Sequence, residues 1–344
     1  MGIPGVHDSP TMDQVDVQIA HAIRVSPRVS FTDIADILDI PEQTVARRYR
    51  RMRRDGLLRV TVAVNPQALG EITWQVRVRC RPDGVAAVAD ALARRDDVSW
   101  ISVHSAGWEV IFNLQATNSA DSQELLTRLL PKAEPVLGVS PAAVLHLFIG
   151  GAPNDWELWG SVLSDEQMRA LEATRIARPA GLPADSRATL TGEDRRIIDH
   201  LTRDGRTPYA TIARALGTTA GKITRRTEHL LQTGVLFLDV DLAFAATRMT
   251  PTILWLTVEP RSLTAVGDTL AAHPNVPFAA ALSGPANLSV VVMAASPADL
   301  YEFVSDTLGS IDGITGYELA LIDYRVKQAA ALTTGDLLAP PLPP

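Results

Sequence analysis

Cysteine is almost absent from this sequence, since Cys80 is the only one in 344 residues. A disulfide framework and a multi-cysteine metal site are therefore excluded. No uninterrupted apolar run approaches the ~20 residues of a membrane-spanning helix. No apolar stretch follows a basic one within residues 1–16, so we expect no signal peptide. These absences predict a cytoplasmic protein without a membrane partner.

Patterns that carry catalysis are also missing. The chain has seven histidines, none of which is spaced from another like a pair of metal ligands, and Cys80 has no neighbouring histidine. No glycine-rich loop of the kind that cradles phosphate is present. His104, at the end of a predicted strand, is interpreted as a packed or solvent-edge histidine rather than a catalytic one. We expect no metal ion, no cofactor and no enzymatic activity.

The sequence instead contains an internal repeat of about half its length. Apolar, arginine and glycine positions recur at a constant offset of 178 residues, which slips by about three near the end of each copy. The matches include Asp16 with Asp194, Arg28 with Arg206, Ile34-Ala35 with Ile212-Ala213, Arg47-Arg48 with Arg225-Arg226, and Gly56 with Gly234. The chain is therefore a duplicated unit.

Each copy begins with three apolar stripes at helical spacing, with turn residues between them. Three short helices with a tight turn before the last predict a helix-turn-helix domain. The order strand, helix, strand, strand, helix, strand follows in each copy, which is the ferredoxin-like βαββαβ arrangement. The predicted fold class is thus α+β, as a duplicated pair of helix-turn-helix and ferredoxin-like domains.

Six segments follow from these patterns. Residues 150–188 form a turn-rich linker, in which Ser164-Asp-Glu-Gln167 is a capping-box pattern that predicts a short helix. The predicted helix-turn-helix domains are residues 12–60 and 189–240, the ferredoxin-like domains are 70–149 and 250–326, and a partly disordered tail is 327–344.

Positive charge is concentrated in the helical domains. The third helix of copy 1 has six arginines and no acid between Thr44 and Arg54. Residues 13–60 carry +2 and residues 191–238 carry +3, so the remainder of a chain of net charge −7 carries −12. Outward side chains of a recognition helix can bond base edges or neutralise phosphate, whereas an isolated arginine run is often only a solvated face. The candidate DNA-binding residues are Gln43, Thr44, Arg47, Arg48, Arg51, Lys222, Arg225 and Arg226.

A family resemblance rests on these motifs. Asp16-x-x-Ile19, Thr32-Asp-Ile-Ala35, the arginine-rich helix, Asp55-Gly56 and Asn65-Pro-Gln-Ala-Leu-Gly70 together resemble the Lrp/AsnC family of bacterial transcription regulators. The resemblance covers nearly all of both copies and implies a tandem fusion of two such regulators. It implies double-stranded DNA as partner, an amino-acid effector, and homo-oligomers formed through the sensing domains. Copy 2 departs from the pattern, because Gly221 lies early in its recognition helix.

The family's effector pocket includes a glycine turn, usually Gly-x-x-Asp-apolar, between the second and third sensing strands. The matching residues here are Ser105, Gly107, Trp108, Glu109, Ser283, Gly284 and Asn287. The family's aspartate is Glu109 in copy 1 and Asn287 in copy 2. Glu109 could accept a hydrogen bond from a ligand ammonium group, and a plain hairpin turn is the alternative interpretation.

A different function has the same architecture. The sirohaem decarboxylases also resemble tandem units of this type and carry an Arg-Glu-His-x-Leu-Asn-Met-Trp-like stretch at the second hairpin. The equivalent segment here is Val103-His-Ser-Ala-Gly-Trp-Glu-Val110, in which only His104 is similar. We therefore predict a sequence-specific DNA-binding regulator, with a decarboxylase-like enzyme as the alternative.

Overall fold

A computed structural model describes residues 12–115, 119–150, 162–176, 188–243, 246 and 249–340. Each copy begins with the predicted three-helix unit, called unit 1 and unit 2 below. The helices are α1 (Gln14–Val25), α2 (Phe31–Leu38) and α3 (Glu42–Arg54) in unit 1, and α7 (Gly192–Arg203), α8 (Tyr209–Leu216) and α9 (Ala220–Gln232) in unit 2. The first helix of each unit starts at a reciprocal capping box, Asp13 with Asp16 and Thr191 with Asp194. The two predicted helix-turn-helix units are confirmed.

A strand leaves each unit, and the two strands pair with each other. β1 (Leu58–Val64) runs antiparallel to β6 (Leu236–Leu242), with Thr61 opposite Asp239. This two-stranded ribbon joins the units at their bases. The sequence predicts both strands, but the pairing between copies is visible only in the structure.

Both βαββαβ domains are present, so the predicted fold class is confirmed. In copy 1 the elements are β2 (Thr73–Cys80), α4 (Val85–Ala93), β3 (Val98–His104), β4 (Glu109–Gln115), α5 (Ser119–Glu124) and β5 (Val136–Ile149). α5 continues through a π-helical turn (Leu125–Leu129) and a last turn (Leu130–Lys132). Successive residues of each strand point to opposite faces of the sheet. Apolar residues on one face pack against the helices of the same copy, and residues on the other face point toward the second copy.

Copy 2 repeats this arrangement. Its elements are β7 (Thr250–Val258), α10 (Leu263–Ala271), β8 (Phe278–Leu282), β9 (Leu288–Ala294), α11 (Pro297–Glu302) and β10 (Ile314–Lys327). The last strand of each copy pairs with the second strand of the other, β5 with β8 and β10 with β3. The eight strands thereby close into one barrel in the order β10-β3-β4-β2-β5-β8-β9-β7. Closure leaves neither domain with a free strand edge.

The predicted linking helix forms as α6 (Asp165–Ala173), with a capping box from Ser164 and Gln167. It packs on unit 1, where Leu171 is fully buried in the core of that unit. The Gln167 side-chain amide donates to the Ile37 carbonyl at 3.1 Å. This helix is therefore a structural part of unit 1. The rest of the predicted linker lies largely outside the described residues.

The described part of the predicted C-terminal tail is folded. Residues 328–340 fold back as a hairpin of β11 (Thr333–Thr334) and β12 (Leu337–Leu338), and residues 341–344 lie outside the described residues. Leu338 is buried in the core of unit 1, and its amide donates to the Gly56 carbonyl at 2.8 Å. Gly56 has φ +69°, and a Cβ there would lie 2.4 Å from the Leu338 carbonyl oxygen, so only glycine fits. The sequence of this segment has little helical or strand periodicity, and its structure depends on packing against unit 1.

Candidate nucleic-acid interface

Helix α3 separates a buried face from a cationic one. Val45, Tyr49 and Met52 are buried in unit 1, as the apolar stripe predicts. Gln43 and Arg47 are exposed on the opposite face, with Thr44 half-buried beside them. These three side chains therefore lie in the N-terminal half of α3, away from its buried face.

Two of the predicted DNA-binding arginines of unit 1 are bonded to a buried carboxylate within the unit. Asp16 is fully buried on α1, and one of its carboxylate oxygens accepts from Arg48 at 2.9 Å. The other carboxylate oxygen is bonded by Arg51. Arg48 also pairs with Asp13 at 2.7 Å. These bonds tie α3 to α1, while the Arg51 side chain remains 37% exposed and that of Arg48 19% exposed.

Unit 2 repeats the tie between its first and third helices. Arg226 donates two hydrogen bonds to the buried Asp194, at 2.6 and 2.7 Å. Lys222 pairs with Glu193 at 2.8 Å on the surface. Arg225, which is equivalent to Arg47, is exposed. The third helix of unit 2 therefore exposes Lys222 and Arg225, while Arg226 is held by Asp194.

The signal for these ties was present in the repeat. Asp16 and Arg48 are 32 residues apart, and Asp194 and Arg226 keep the same separation. The nearby positions Thr44 and Arg51 are replaced in copy 2 by Lys222 and His229. A charged pair that is kept in both copies while nearby positions differ indicates a contact within the unit. Helical spacing alone predicted that Arg48 points outward.

The turn between β3 and β4 carries the predicted effector residues of copy 1. Ser105, Ala106 and Gly107 all have positive φ angles, between 56° and 81°, which makes a tight left-handed turn. The Gly107 amide donates to Asp323 of β10 at 2.9 Å. Trp108 is 52% exposed. The turn offers an aromatic surface to solvent, while the other copy already engages its backbone.

Glu109 does not present a free carboxylate. It is buried, and Arg77 of β2 donates to both of its oxygens, at 3.0 and 3.2 Å. Arg77 also pairs with Glu318 of β10 and lies 3.7 Å over the ring of Trp255. Arg77 therefore already supplies the cation that a ligand ammonium was predicted to supply. The Arg77–Glu109 pair joins two strands of copy 1, and the contacts of Arg77 with Glu318 and Trp255 join the two copies, so spacing along the sequence does not reveal them.

The predicted residues of copy 2 also have partners within the fold. The Asn287 side chain accepts from the Val258 amide and donates to its carbonyl, both at 2.8 Å. The Ser283 hydroxyl accepts from the Ala143 amide at 2.8 Å, across the seam between β8 and β5. Gly284 has φ +113° and open space where a Cβ would lie. The structure places these side chains as links of the barrel.

His104 lies inside the barrel wall and is 1% exposed. Burial lowers the pKa of its imidazole to about 3, and the nearby cation Arg325 acts in the same direction. Its Nε2 lies 2.7 Å from the Ser102 hydroxyl. The histidine is thus neutral at pH 7 and packed.

Within the described ranges, three or more His, Cys, Asp or Glu side chains nowhere gather as they would around a metal ion. No helix of the described part is long and apolar enough to span a bilayer.

This architecture defines a class: paired helix-turn-helix units carried on a double βαββαβ barrel. The AsnC-type helix-turn-helix domain matches residues 12–53 and again residues 190–231. The Lrp/AsnC ligand binding domain matches residues 252–332, and copy 1 has the same topology. The repeated domain found in the sequence is thereby confirmed.

Known relatives match one copy of the repeat. An HTH-type transcriptional regulator of Pyrococcus furiosus is 30% identical over 127 residues, which are 36% of this chain and 86% of that protein. The transcriptional regulator LrpA of Pyrococcus abyssi is 28% identical over 137 residues, 39% of this chain and 97% of that protein. The chain belongs to the Lrp/AsnC family of transcriptional regulators. Both relatives are archaeal, so the family is not confined to bacteria.

Solved structures that match the whole chain overturn one expectation. The crystal structure of the sirohaem decarboxylase NirDL has a TM-score of 0.60 and 15% identity, and covers 92% of this chain and 93% of that one. Its complex with an iron-uroporphyrin III analogue has a TM-score of 0.59. The same tandem fold therefore occurs in an enzyme, which contradicts our expectation that this architecture goes without enzymatic activity. At this identity the likeness concerns the fold alone.

Proposed function

We propose that this regulator binds double-stranded DNA through both helix-turn-helix units of one chain, as a covalent equivalent of a dimer and a tandem fusion of two regulators. The supporting observation is the pairing of β1 with β6, which joins two units that each expose a cationic third helix. The acidic remainder of the chain repels phosphate, so contact is confined to the units. Access to the chromosome places this activity in the cytoplasm.

The side chains proposed to contact DNA fall into two groups. Gln43, Thr44 and Arg47 contact bases in the major groove, because they lie on the open face of α3. Lys222 and Arg225 neutralise phosphate from α9. Arg48, Arg51 and Arg226 take part by holding the recognition helices against their carboxylate partners.

The first test is the salt dependence of DNA binding. We expect the logarithm of the association constant to decrease linearly with the logarithm of the salt concentration. The slope should be about −0.9 for each phosphate that is neutralised. With the two proposed phosphate contacts, of Lys222 and Arg225, the expected loss of affinity between 50 and 200 mM salt is about 12-fold. Fluorescence anisotropy with labelled genomic fragments measures this slope. An affinity that stays constant across the series contradicts binding through the cationic helices.

An effector site at the barrel turns is part of the proposal. The exposed Trp108 and the open backbone at Gly284 provide contact surface, with Ser105 and Gly107 shaping the first turn. Glu109, Ser283 and Asn287 would act indirectly, by fixing the strands that carry the turns. The ligand class is an amino acid, and further copies of the chain would assemble through the same sensing domains.

The second candidate function, a sirohaem decarboxylase-like activity, is favoured by one observation, the whole-chain fold likeness. One ligand panel separates the two. We expect an amino acid at ten times its dissociation constant to stabilise the protein by about 1.4 kcal/mol, seen as a rise in Tm. The panel also contains an iron tetrapyrrole, whose binding is measured from Tm and from the visible spectrum of the protein. A bound visible absorption band together with no response to any amino acid would favour the enzyme.

A further inference from the structure

Two equivalent arginines cross between the helix-turn-helix units. Arg28 follows α1 in unit 1, and Arg206 occupies the matching place in unit 2, 178 residues later. Arg28 donates to the carbonyl of Gly205 and to that of Thr207, the latter at 3.2 Å. Arg206 donates to the carbonyls of Pro27 and Val29 at 2.8 and 2.7 Å. Each guanidinium group therefore holds the loop that carries the other arginine, and we call these two residues the arginine clasp.

Aromatic rings complete the arginine clasp. The Arg28 guanidinium carbon lies 4.2 Å from the ring centre of Tyr209, the first residue of α8. The Arg206 guanidinium carbon lies 4.7 Å from the ring centre of Phe31, the first residue of α2. The planar guanidinium group can fork to two carbonyls and stack on a ring at once, which an ammonium group cannot do. The contacts are reciprocal, as in a twofold interface.

The arginine clasp also reaches a recognition helix. Arg206 lies 5.4 Å from the ring centre of Tyr49, which is on α3. Arg53 at the end of α3 pairs with Asp204 in the loop of unit 2 at 2.9 Å. That loop lies directly on β1, because the Gly205 amide donates to the Val60 carbonyl at 2.8 Å. The orientation of α3 is thus coupled to unit 2 through several short contacts.

We propose that Arg28 and Arg206 are positioning residues that fix the separation of the two recognition helices and thereby the half-site spacing that the protein accepts. This inference rests on the proposed DNA-binding function. Recognition helices that serve one duplex must meet major grooves one helical turn apart, or a multiple of it. A rigid pair of units accepts one spacing, whereas units joined only through the β1–β6 ribbon can adjust to several.

The test uses the double variant Arg28→Lys/Arg206→Lys, which keeps both positive charges but removes both guanidinium groups and their paired hydrogen bonds to carbonyls. Binding is measured against DNA series in which the half-site spacing changes in single base pairs. Wild type should lose affinity about 10-fold or more for a two-base-pair change, and the double variant about 3-fold or less. The matched control is Arg203→Lys, an exposed arginine at the end of α7, which should keep the wild-type profile.

A distance measurement separates the arginine clasp from DNA binding. Spin labels at Asp36→Cys and Arg214→Cys occupy equivalent exposed positions on α2 and α8, and Cys80 is buried. Wild type without DNA should give one narrow distance distribution, which broadens in the double variant while thermal unfolding shows that it remains folded. An unchanged distribution, or an unchanged spacing profile, overturns the proposal. If the distance distribution broadens in the double variant but the wild-type protein binds DNA of no spacing, the proposed DNA-binding function is overturned. The proposed role of the two arginines in spacing is then overturned with it.

Discussion

Asp16→Asn is expected to destabilise unit 1 by about 3 kcal/mol, because it removes one partner of a buried ion pair and leaves cations facing a neutral amide. Asp16 has no exposed surface, caps α1 and holds both Arg48 and Arg51. Arg48 keeps some contact with water, so the loss should lie at the lower end of the range for buried pairs. DNA binding should fall with the loss of α3 orientation, although Asp16 itself does not face DNA.

Urea unfolding and amide exchange of α1 and α3 measure this effect. The matched control is Asp36→Asn, the same substitution at an exposed position of α2. It should change the free energy of unfolding by less than about 0.5 kcal/mol. Equal stability of the two variants would mean that the tie between α1 and α3 contributes nothing.

The equivalent aspartate of unit 2 adds a dependence on pH. Burial acts to raise the pKa of Asp194, but hydrogen bonds from Arg226 and Thr191 outweigh it and lower the pKa to about 2. The carboxylate is more acidic in the folded than in the unfolded chain, so its contribution is present above pH ~4 and is lost as pH falls toward 2. Asp194→Asn should therefore reduce the pH dependence of the free energy of unfolding between pH 4 and 2.

Arg47→Ala is expected to cost about 1–3 kcal/mol of specific binding, a loss of roughly 5- to 150-fold, and to relax sequence preference at one half-site. Arg47 is exposed on α3, where Gln43 and Thr44 supply two further polar side chains toward the groove. In α9 the positions equivalent to Gln43 and Thr44 are Gly221, which has no side chain, and Lys222, which is held by Glu193. Unit 1 therefore has more groups available for base contacts.

Arg225→Ala is the matched control, because Arg225 is exposed at the position equivalent to Arg47. It should weaken binding to all sequences about equally, and Lys222→Ala should do the same while lowering the salt slope by about one. Competition binding with intact and scrambled half-sites distinguishes these outcomes. Equal relaxation of preference by Arg47→Ala and Arg225→Ala would show that both units contact bases alike.

The sequence predicts most of this fold because its signals are local or repeated. Helix periodicity places Val45, Tyr49 and Met52 in the core, and the capping box at Ser164 predicts α6. The order of strands and helices is enough to identify both βαββαβ domains. Boundaries were less predictable at the last strand of copy 2: β10 spans Ile314–Lys327, and its C-terminal part from Ile322 to Lys327 pairs with β3 of the other copy.

The candidate site was less predictable, because its contacts join residues far apart in the chain. Helical spacing could not tell that Arg48 faces Asp16, and nothing near Glu109 in the sequence indicates its partner Arg77. The C-terminal hairpin is stabilised by a contact with Gly56 that is 282 residues away in the chain. Such contacts depend on strand register and on docking between domains, which pattern analysis does not contain.

The covalent bond between the two copies has a consequence for dosage. A regulator that must first find a second subunit loses its paired form on dilution, so its occupancy of DNA rises steeply with the amount of protein. Tethering raises the effective concentration of one unit near the other to about the millimolar range, whatever the amount of protein present. Pairing of units 1 and 2 then costs no assembly step, and a related protein cannot replace one half. Each unit is free to diverge because it always meets the same partner, as Thr44 and Lys222 already illustrate.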